Sequence, residues 1–169
     1  MRRPLMGGVL AFVGLLLSGC GSSLTTYVKP DAPWATIQKT AVLPFTLPSE
    51  NAVHRQSVTQ LFTAELRRIG FTDVVDVPLR PTAIEPLNPG AIAKEYQVDA
   101  VFAGSVDDSS QGTVIHVRLI DAATGEILWS ATDLLGIGSE YFSVKTVQQQ
   151  LQRRFRRMAR KFSRQHPHS

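Results

Sequence analysis

Apolar residues recur at helical spacing in three segments of the 169-residue chain. Residues 49–69 carry apolar side chains roughly every three or four positions and are followed by Gly70, which predicts a helix with a glycine stop. A short helix is predicted over residues 90–96, and the segment 143–162 has the clearest amphipathic pattern. The apolar residues of this last segment step by four, four, three and four positions: Val147, Leu151, Phe155, Met158 and Phe162.

Five further segments predict β-strands, because each is apolar or alternating and too short for a stable helix. Turn-forming residues such as Pro, Gly and Asp separate most of them. The fourth segment alternates most clearly, with Ile115, Val117 and Leu119 on its apolar side. The five segments span residues 40–45, 71–77, 98–106, 113–120 and 126–132.

The predicted order of elements is β-α-β-α-β-β-β-α. The early β-α-β units require parallel pairing with right-handed crossovers, whereas the late hairpins are antiparallel. The sequence therefore predicts an α/β fold: a single domain over residues 38–165, with a mixed sheet of about five strands and flanking helices. Residues 166–169 are expected to form a disordered tail. The exposed edges of such a sheet offer a route to a partner or to self-assembly.

The N-terminus has a basic start, an apolar run over residues 5–17 and a junction of small residues before the only cysteine, Cys20. The run is too short for a comfortable membrane span, so residues 1–19 are expected to be a secretory signal peptide. The junction resembles the lipobox that the lipoprotein signal peptidase recognises: Leu17, Ser18, Gly19 and Cys20. We therefore expect Cys20 to carry covalent lipid, with no other cofactor; an ordinary signal peptide with a chance cysteine is the alternative.

The residues after Cys20 predict where the mature protein is located and how far its domain extends from the membrane. Gly21, Ser22 and Ser23 follow the cysteine, and lipoproteins of diderm bacteria that lack Asp at the next position are sorted outward. We expect a mature protein anchored to the outer membrane and facing the periplasm, because several acyl chains on one residue anchor firmly. Residues 20–37 are rich in Ser, Thr and Pro and are expected to form a flexible tether; fifteen extended residues reach about 50 Å.

The formal net charge of +4 conceals a strong asymmetry. Residues 20–144 contain 8 Lys or Arg and 14 Asp or Glu, whereas residues 145–169 contain 8 Lys or Arg and no acid. This basic helix could bind anionic lipid or lipopolysaccharide phosphates, an acidic patch on another copy of the chain, or only solvent. Nucleic acid is the usual partner of a basic patch, but we do not expect it here, because an exported protein rarely meets it. The candidate residues are Arg153, Arg154, Arg156, Arg157, Arg160, Lys161 and Arg164.

No catalytic or metal-binding arrangement stands out in the sequence. A nucleophilic triad needs a base oriented by an acid beside a Ser or Cys, and Cys20 is committed to lipid. Asp107 and Asp108 fall in an expected turn, where capping of backbone groups is their usual role. Trp129 is expected to be a packed residue of a strand. We therefore expect neither an enzyme nor a metal site.

Three core segments resemble one superfamily: AVLPF at 41–45, DAVFAGSV at 99–106 and VRLIDAATGEILWS at 117–130. This superfamily contains the curli-secretion-channel lipoprotein, the N-terminal domain of TolB and the LpoB activator of a penicillin-binding protein. It also contains the small lipoprotein of the Pel polysaccharide export system, which is similar in overall size. The resemblance covers about residues 40–165 and implies the α/β fold described above.

The resemblance implies a non-enzymatic outer-membrane lipoprotein that serves an envelope export or secretion system, with two alternatives open. The Pel-type relatives assemble into a ring, which implies a homo-oligomer. The penicillin-binding-protein activator implies a monomeric adaptor that binds a cell-envelope enzyme or complex. In the ring-forming relatives an aromatic residue of the loop before the last helix contacts the membrane. Tyr141 and Phe142 occupy the corresponding loop here and are the candidate membrane-contact residues.

Overall fold

The computed structural model describes residues 23–48, 52–79, 88–110, 112–135 and 144–166. Within these ranges the chain forms six strands, three α-helices and a short 3-10 helix at Trp34–Thr36. The strands are β1 (Thr25–Val28), β2 (Thr40–Val42), β3 (Val74–Asp76), β4 (Ala100–Ser109), β5 (Gly112–Asp121) and β6 (Ile127–Leu134). The helices are α1 (Ala52–Arg68), α2 (Pro89–Tyr96) and α3 (Val144–Gln165).

The strands form one mixed sheet in the order β1-β6-β5-β4-β2-β3. β2 pairs in parallel with β3 and β4, while the β4-β5-β6-β1 part is antiparallel. The predicted α/β class and mixed sheet are therefore confirmed. The count of about five strands is corrected to six, because β1 lies in the segment predicted to be tether. Its four residues are Thr, Thr, Tyr and Val, types that favour strands, but the Ser- and Pro-rich surroundings conceal them.

The main core lies between the sheet and the pair of helices α1 and α3. The phenyl rings of Phe45, Phe62 and Phe155 form its centre, with centroids 5.3 to 5.6 Å apart. The four regularly spaced residues of α3 from Leu151 to Phe162 are buried there, as their pattern predicts. A smaller core lies on the opposite face of the sheet, where Ile92 and Ala93 of α2 pack.

Helix and hairpin ends follow local chemistry. Gly70, two positions after the end of α1, adopts φ of +101°, a conformation that costs glycine little, so the predicted glycine stop is confirmed. The side chain of Asn88 accepts a hydrogen bond from the backbone N–H of Gly90 at 2.9 Å and caps α2. In the β5–β6 hairpin, Asp121 Oδ1 accepts the N–H groups of Ala123 and Thr124 at 2.8 and 2.7 Å.

Both ends of the described chain are packed against the domain. β1 pairs with β6, and the indole of Trp34 meets the Phe162 ring edge-on at 6.3 Å. The imidazole of His166 is 3% exposed and lies 4.8 Å from the Trp34 ring, centroid to centroid. The folded part therefore begins within the segment predicted to be tether, and it includes His166, which the sequence placed in the tail. Pairing of β1 with β6 causes the first difference, and the contact of His166 with the Trp34 ring causes the second.

A substitution at Gly104 tests how closely β4 packs against the core. A Cβ at this position would overlap the ring of Phe45, which is almost completely buried. We expect Gly104→Ala to lower the free energy of unfolding by about 1–3 kcal/mol, because the ring has no room to move away. Gly90→Ala is the matched control, since its Cβ would meet only ordinary contacts, the nearest at 3.4 Å. Urea unfolding checks both; equal stability of Gly104→Ala and the wild type would contradict the expectation.

Candidate functional site

The residues predicted to carry the lipid signal and the membrane-contact loop lie outside the described ranges: Leu17, Ser18, Gly19, Cys20, Tyr141 and Phe142. The described chain begins at Ser23, three positions after Cys20. The seven predicted basic residues all lie on α3, within the described part. The site analysis therefore concerns α3, the N-terminal segment and the surfaces around them.

A fully buried carboxylate, Asp133 of β6, connects α3 with the start of the described chain. Arg154 Nη1 lies 3.0 Å from Asp133 Oδ1, and Arg157 forms a second ion pair through both carboxylate oxygens. The hydroxyl of Ser23 donates to Asp133 Oδ1 at 2.5 Å and accepts from the two guanidinium groups at 3.0 and 3.2 Å. We call this group, formed by Ser23, Asp133, Arg154 and Arg157, the N-terminal clamp.

The side-chain periodicities of a strand and of a helix explain how the residues of the clamp come together. Side chains alternate along a strand, so Trp129, Ala131 and Asp133 of β6 all point toward the helices. Arg154 and Arg157 are three positions apart and therefore neighbours on the surface of α3. A carboxylate among apolar side chains is costly unless cations and hydrogen bonds satisfy it. The two arginines, about a third exposed, satisfy Asp133 while their stems cover the core.

A second buried carboxylate, Glu65, connects α1 with α3. Its oxygens accept from Arg68 Nε at 2.8 Å and from Arg156 Nη2 at 3.3 Å, with Gln152 Nε2 at 3.4 Å. Burial by itself would raise the pKa of Glu65, but the hydrogen bonds from Arg68 and Arg156 outweigh it and lower the pKa below its ordinary value. Glu65 is therefore charged at neutral pH and helps to hold the two helices together.

The predicted basic surface of α3 thus has two parts. Arg154, Arg156 and Arg157 bind carboxylates of their own chain. The other four predicted residues are exposed and have no acidic partner among the described residues; we call them the cationic stripe: Arg153, Arg160, Lys161 and Arg164. The sequence analysis missed the internal ion pairs. The signal available for one of them was an acid at a core-facing position in the alternation of β6.

The sheet face opposite α1 and α3 is a second accessible surface. Of the described helices only α2 packs on this face, against the part formed by β2, β3 and β4. Farther across, the side chains of Tyr27 and Ile127 are 50% and 39% exposed. Tyr27 is paired with Ser130, and Ser130 with Arg118, so one row crosses three strands. We call the part formed by β5, β6 and β1 the open face.

The remaining candidate residues have structural roles. Asp107 and Asp108 lie at the end of β4 rather than in a turn, and they accept hydrogen bonds from Ser105 and Thr113 at 2.6 and 2.9 Å. Trp129 is buried, and its Nε1 donates to Gln165 Oε1 at 3.0 Å. In the described ranges no three His, Cys, Asp or Glu residues are grouped as a metal would require. No helix in these ranges has the length and hydropathy of a membrane span.

Comparison with known proteins shows the fold. No protein-family model matches the chain, and no curated protein matches it. The PelC dodecamer from Paraburkholderia phytofirmans superposes with a TM-score of 0.57 and 20% identity over 80% of this chain and 94% of that one. A variant PelC dodecamer from the same organism gives 0.56 and 19% over 80% and 95%. Lipoprotein GNA1162 from Neisseria meningitidis gives 0.47 and 17% over 72% and 96%. The PelC structures confirm, at the level of fold, the resemblance drawn from the three core segments.

The N-terminal clamp makes a prediction about stability. Asp133→Asn removes the negative charge that faces Arg154 and Arg157, and we expect the free energy of unfolding to fall by about 2–4 kcal/mol. Amide hydrogens of β1 should exchange faster, because Ser23 loses its partner. Asp107→Asn is the control, since this exposed carboxylate should change stability by less than about 0.5 kcal/mol. A fully stable Asp133→Asn variant would show that the clamp contributes nothing.

The lowered pKa of Glu65 predicts how the stability of the protein depends on pH. Its pKa is lowered in the folded protein, so its stabilising contribution is complete above its ordinary value of 4.5 and disappears as pH falls through the lowered value. The stability difference between the wild type and Glu65→Gln should therefore be about 1–3 kcal/mol at neutral pH and shrink in acid. Urea unfolding of both proteins across this range measures the difference. A difference that stays constant below pH 4.5 would contradict the assignment.

Proposed function

We propose that the chain is a non-enzymatic lipoprotein, anchored through Cys20 to the periplasmic face of the outer membrane. In this proposal it assembles with further copies of itself and serves as an accessory component of an envelope export or secretion system. The observation that carries the proposal is the fold shared with PelC, a protein solved as a dodecamer, over 94% of that chain. The lipobox-like junction ending at Cys20 supports the anchor and the location.

The open face is the surface that best suits contact between copies. Tyr27 is half exposed on β1, which is an edge strand of the described sheet. Aromatic side chains that become buried at the centre of an interface contribute much of its binding energy. An edge strand also presents backbone groups that a neighbouring chain can pair with. In a ring each copy uses two different surfaces, so the open face would meet another surface of its neighbour.

The basic helix is a weaker choice for this contact. Docking by charge needs free carboxylates on the neighbour, but several carboxylates of the domain already have partners in their own chain. Asp99 Oδ2 accepts two backbone N–H groups at 2.9 Å, and Asp107 and Asp108 accept hydroxyl groups. On the helix side, Arg154, Arg156 and Arg157 are already bound to Asp133 and Glu65. We therefore assign self-assembly to the open face.

Light scattering coupled to size exclusion tests the assembly. The mature lipidated protein in detergent should form a discrete oligomer, and Tyr27→Glu should reduce it to monomer without loss of folding, because the side chain is half exposed. High salt should leave the oligomer intact, since an apolar contact is not screened.

Arg153→Glu is the matched control, because it places the same new charge on an exposed residue of α3 and should leave the particle mass unchanged. A wild-type protein that is monomeric at low and high salt would overturn self-assembly and favour the monomeric adaptor. An oligomer that survives Tyr27→Glu would remove the open face from the interface.

A further inference from the structure

We infer that the cationic stripe of α3 is a docking surface for anionic phospholipid headgroups, and that the N-terminal clamp holds it against the bilayer. The inference deepens the proposed function and rests on its lipid anchor at Cys20. It changes the expected arrangement of the molecule: the domain lies on the membrane instead of moving at the end of a long tether.

The first step is the distance from the anchor to the domain. Fifteen extended residues of the predicted tether would allow about 50 Å of reach. In the structure the chain is already fixed at Ser23, whose hydroxyl donates to Asp133 and accepts from Arg154 and Arg157. Three Cα–Cα steps connect Cys20 to Ser23, so the two residues are within about 11 Å of each other. The flank of α3 that binds Ser23 must therefore lie close to the lipid headgroups.

The second step is the position of the exposed cations relative to that flank. Arg153 is adjacent in sequence to Arg154, and Arg160 follows Arg157 by three positions, about 5 Å along the helix axis. Arg153, Arg160 and Arg164 are seven and four positions apart, so they lie along one line of the helix. This line faces away from the buried side that carries Phe155 and the other core residues.

The third step is the chemistry of the partner. The segment 145–169 contains 8 Lys or Arg and no acid, and the two buried carboxylates that it meets, Asp133 and Glu65, balance only part of this charge. Guanidinium groups bind phosphate oxygens through paired hydrogen bonds. The electrostatic potential of a charged surface decays within about 8 Å at physiological ionic strength. The cations of α3 and the lipid phosphates therefore attract each other only when they are held this close. The short reach from Cys20 supplies this proximity in every copy, whether or not the copies assemble.

Co-sedimentation with vesicles tests the inference. The protein is the mature chain with Cys20→Ser, so that any binding comes from the surface and none from acyl chains. Vesicles of phosphatidylcholine alone are compared with vesicles in which about a third of the lipid is phosphatidylglycerol. We expect binding to the anionic vesicles only, weakening as salt increases.

Two double variants with equal loss of charge make the test specific. Arg153→Gln with Arg160→Gln should lower the partition coefficient about 25-fold, because each cation at an anionic surface contributes about fivefold. Lys94→Gln with Arg67→Gln removes two exposed cations from α2 and α1, and should change the partition coefficient less than about twofold. Equal effects of the two pairs, or equal binding to neutral vesicles, would overturn the inference.

Failure of this inference is distinguishable from failure of the proposed function. The mass of the mature protein reports acylation of Cys20, and Tyr27→Glu reports assembly; neither depends on the cationic stripe. If Arg153→Gln with Arg160→Gln changes the particle mass and leaves vesicle binding unchanged, the stripe contacts a second copy of the chain and the lipid inference is wrong.

Discussion

The burial of a single carboxylate, Asp133, organises the contact between α3, β6 and the N-terminal segment. Because an unpaired charge in the core would be strongly destabilising, α3 must present Arg154 and Arg157 to β6. The same oxygens capture the hydroxyl of Ser23, so the N-terminal segment is drawn onto the domain. One electrostatic requirement thus determines how α3 packs and where the chain enters the fold.

The strength of local periodicity explains which elements the sequence predicts well. α3 and the alternating strand β5 stand out because their apolar residues repeat at a fixed spacing over many positions. β1 escapes prediction because four residues cannot establish a period, and its stability comes from pairing with β6 at the far end of the chain. The burial of His166 is also missed, because it depends on contact with the ring of Trp34, which is distant in the sequence.

The candidate site also has features that the sequence shows and features that only the fold shows. The sequence identifies the seven candidate cations of α3, because a run of Arg and Lys without acids is visible in one dimension. It does not show that Arg156 belongs to Glu65 and Arg157 to Asp133, since these partners are brought together only by the fold. Separating the exposed cations from the paired ones required the structure, and this separation changes their interpretation from one uniform basic face to two surfaces with different roles.

The clamp also constrains the order in which the protein can fold. Ser23 and Asp133 are 110 positions apart, and Arg157 lies still farther along the chain. β1 cannot pair until its partner strand β6, far along the chain, is available, and such long-range closure is slow. The clamp therefore closes only in a chain that extends through β6 and α3, and a chain truncated before them would keep a long, loose N-terminal segment instead.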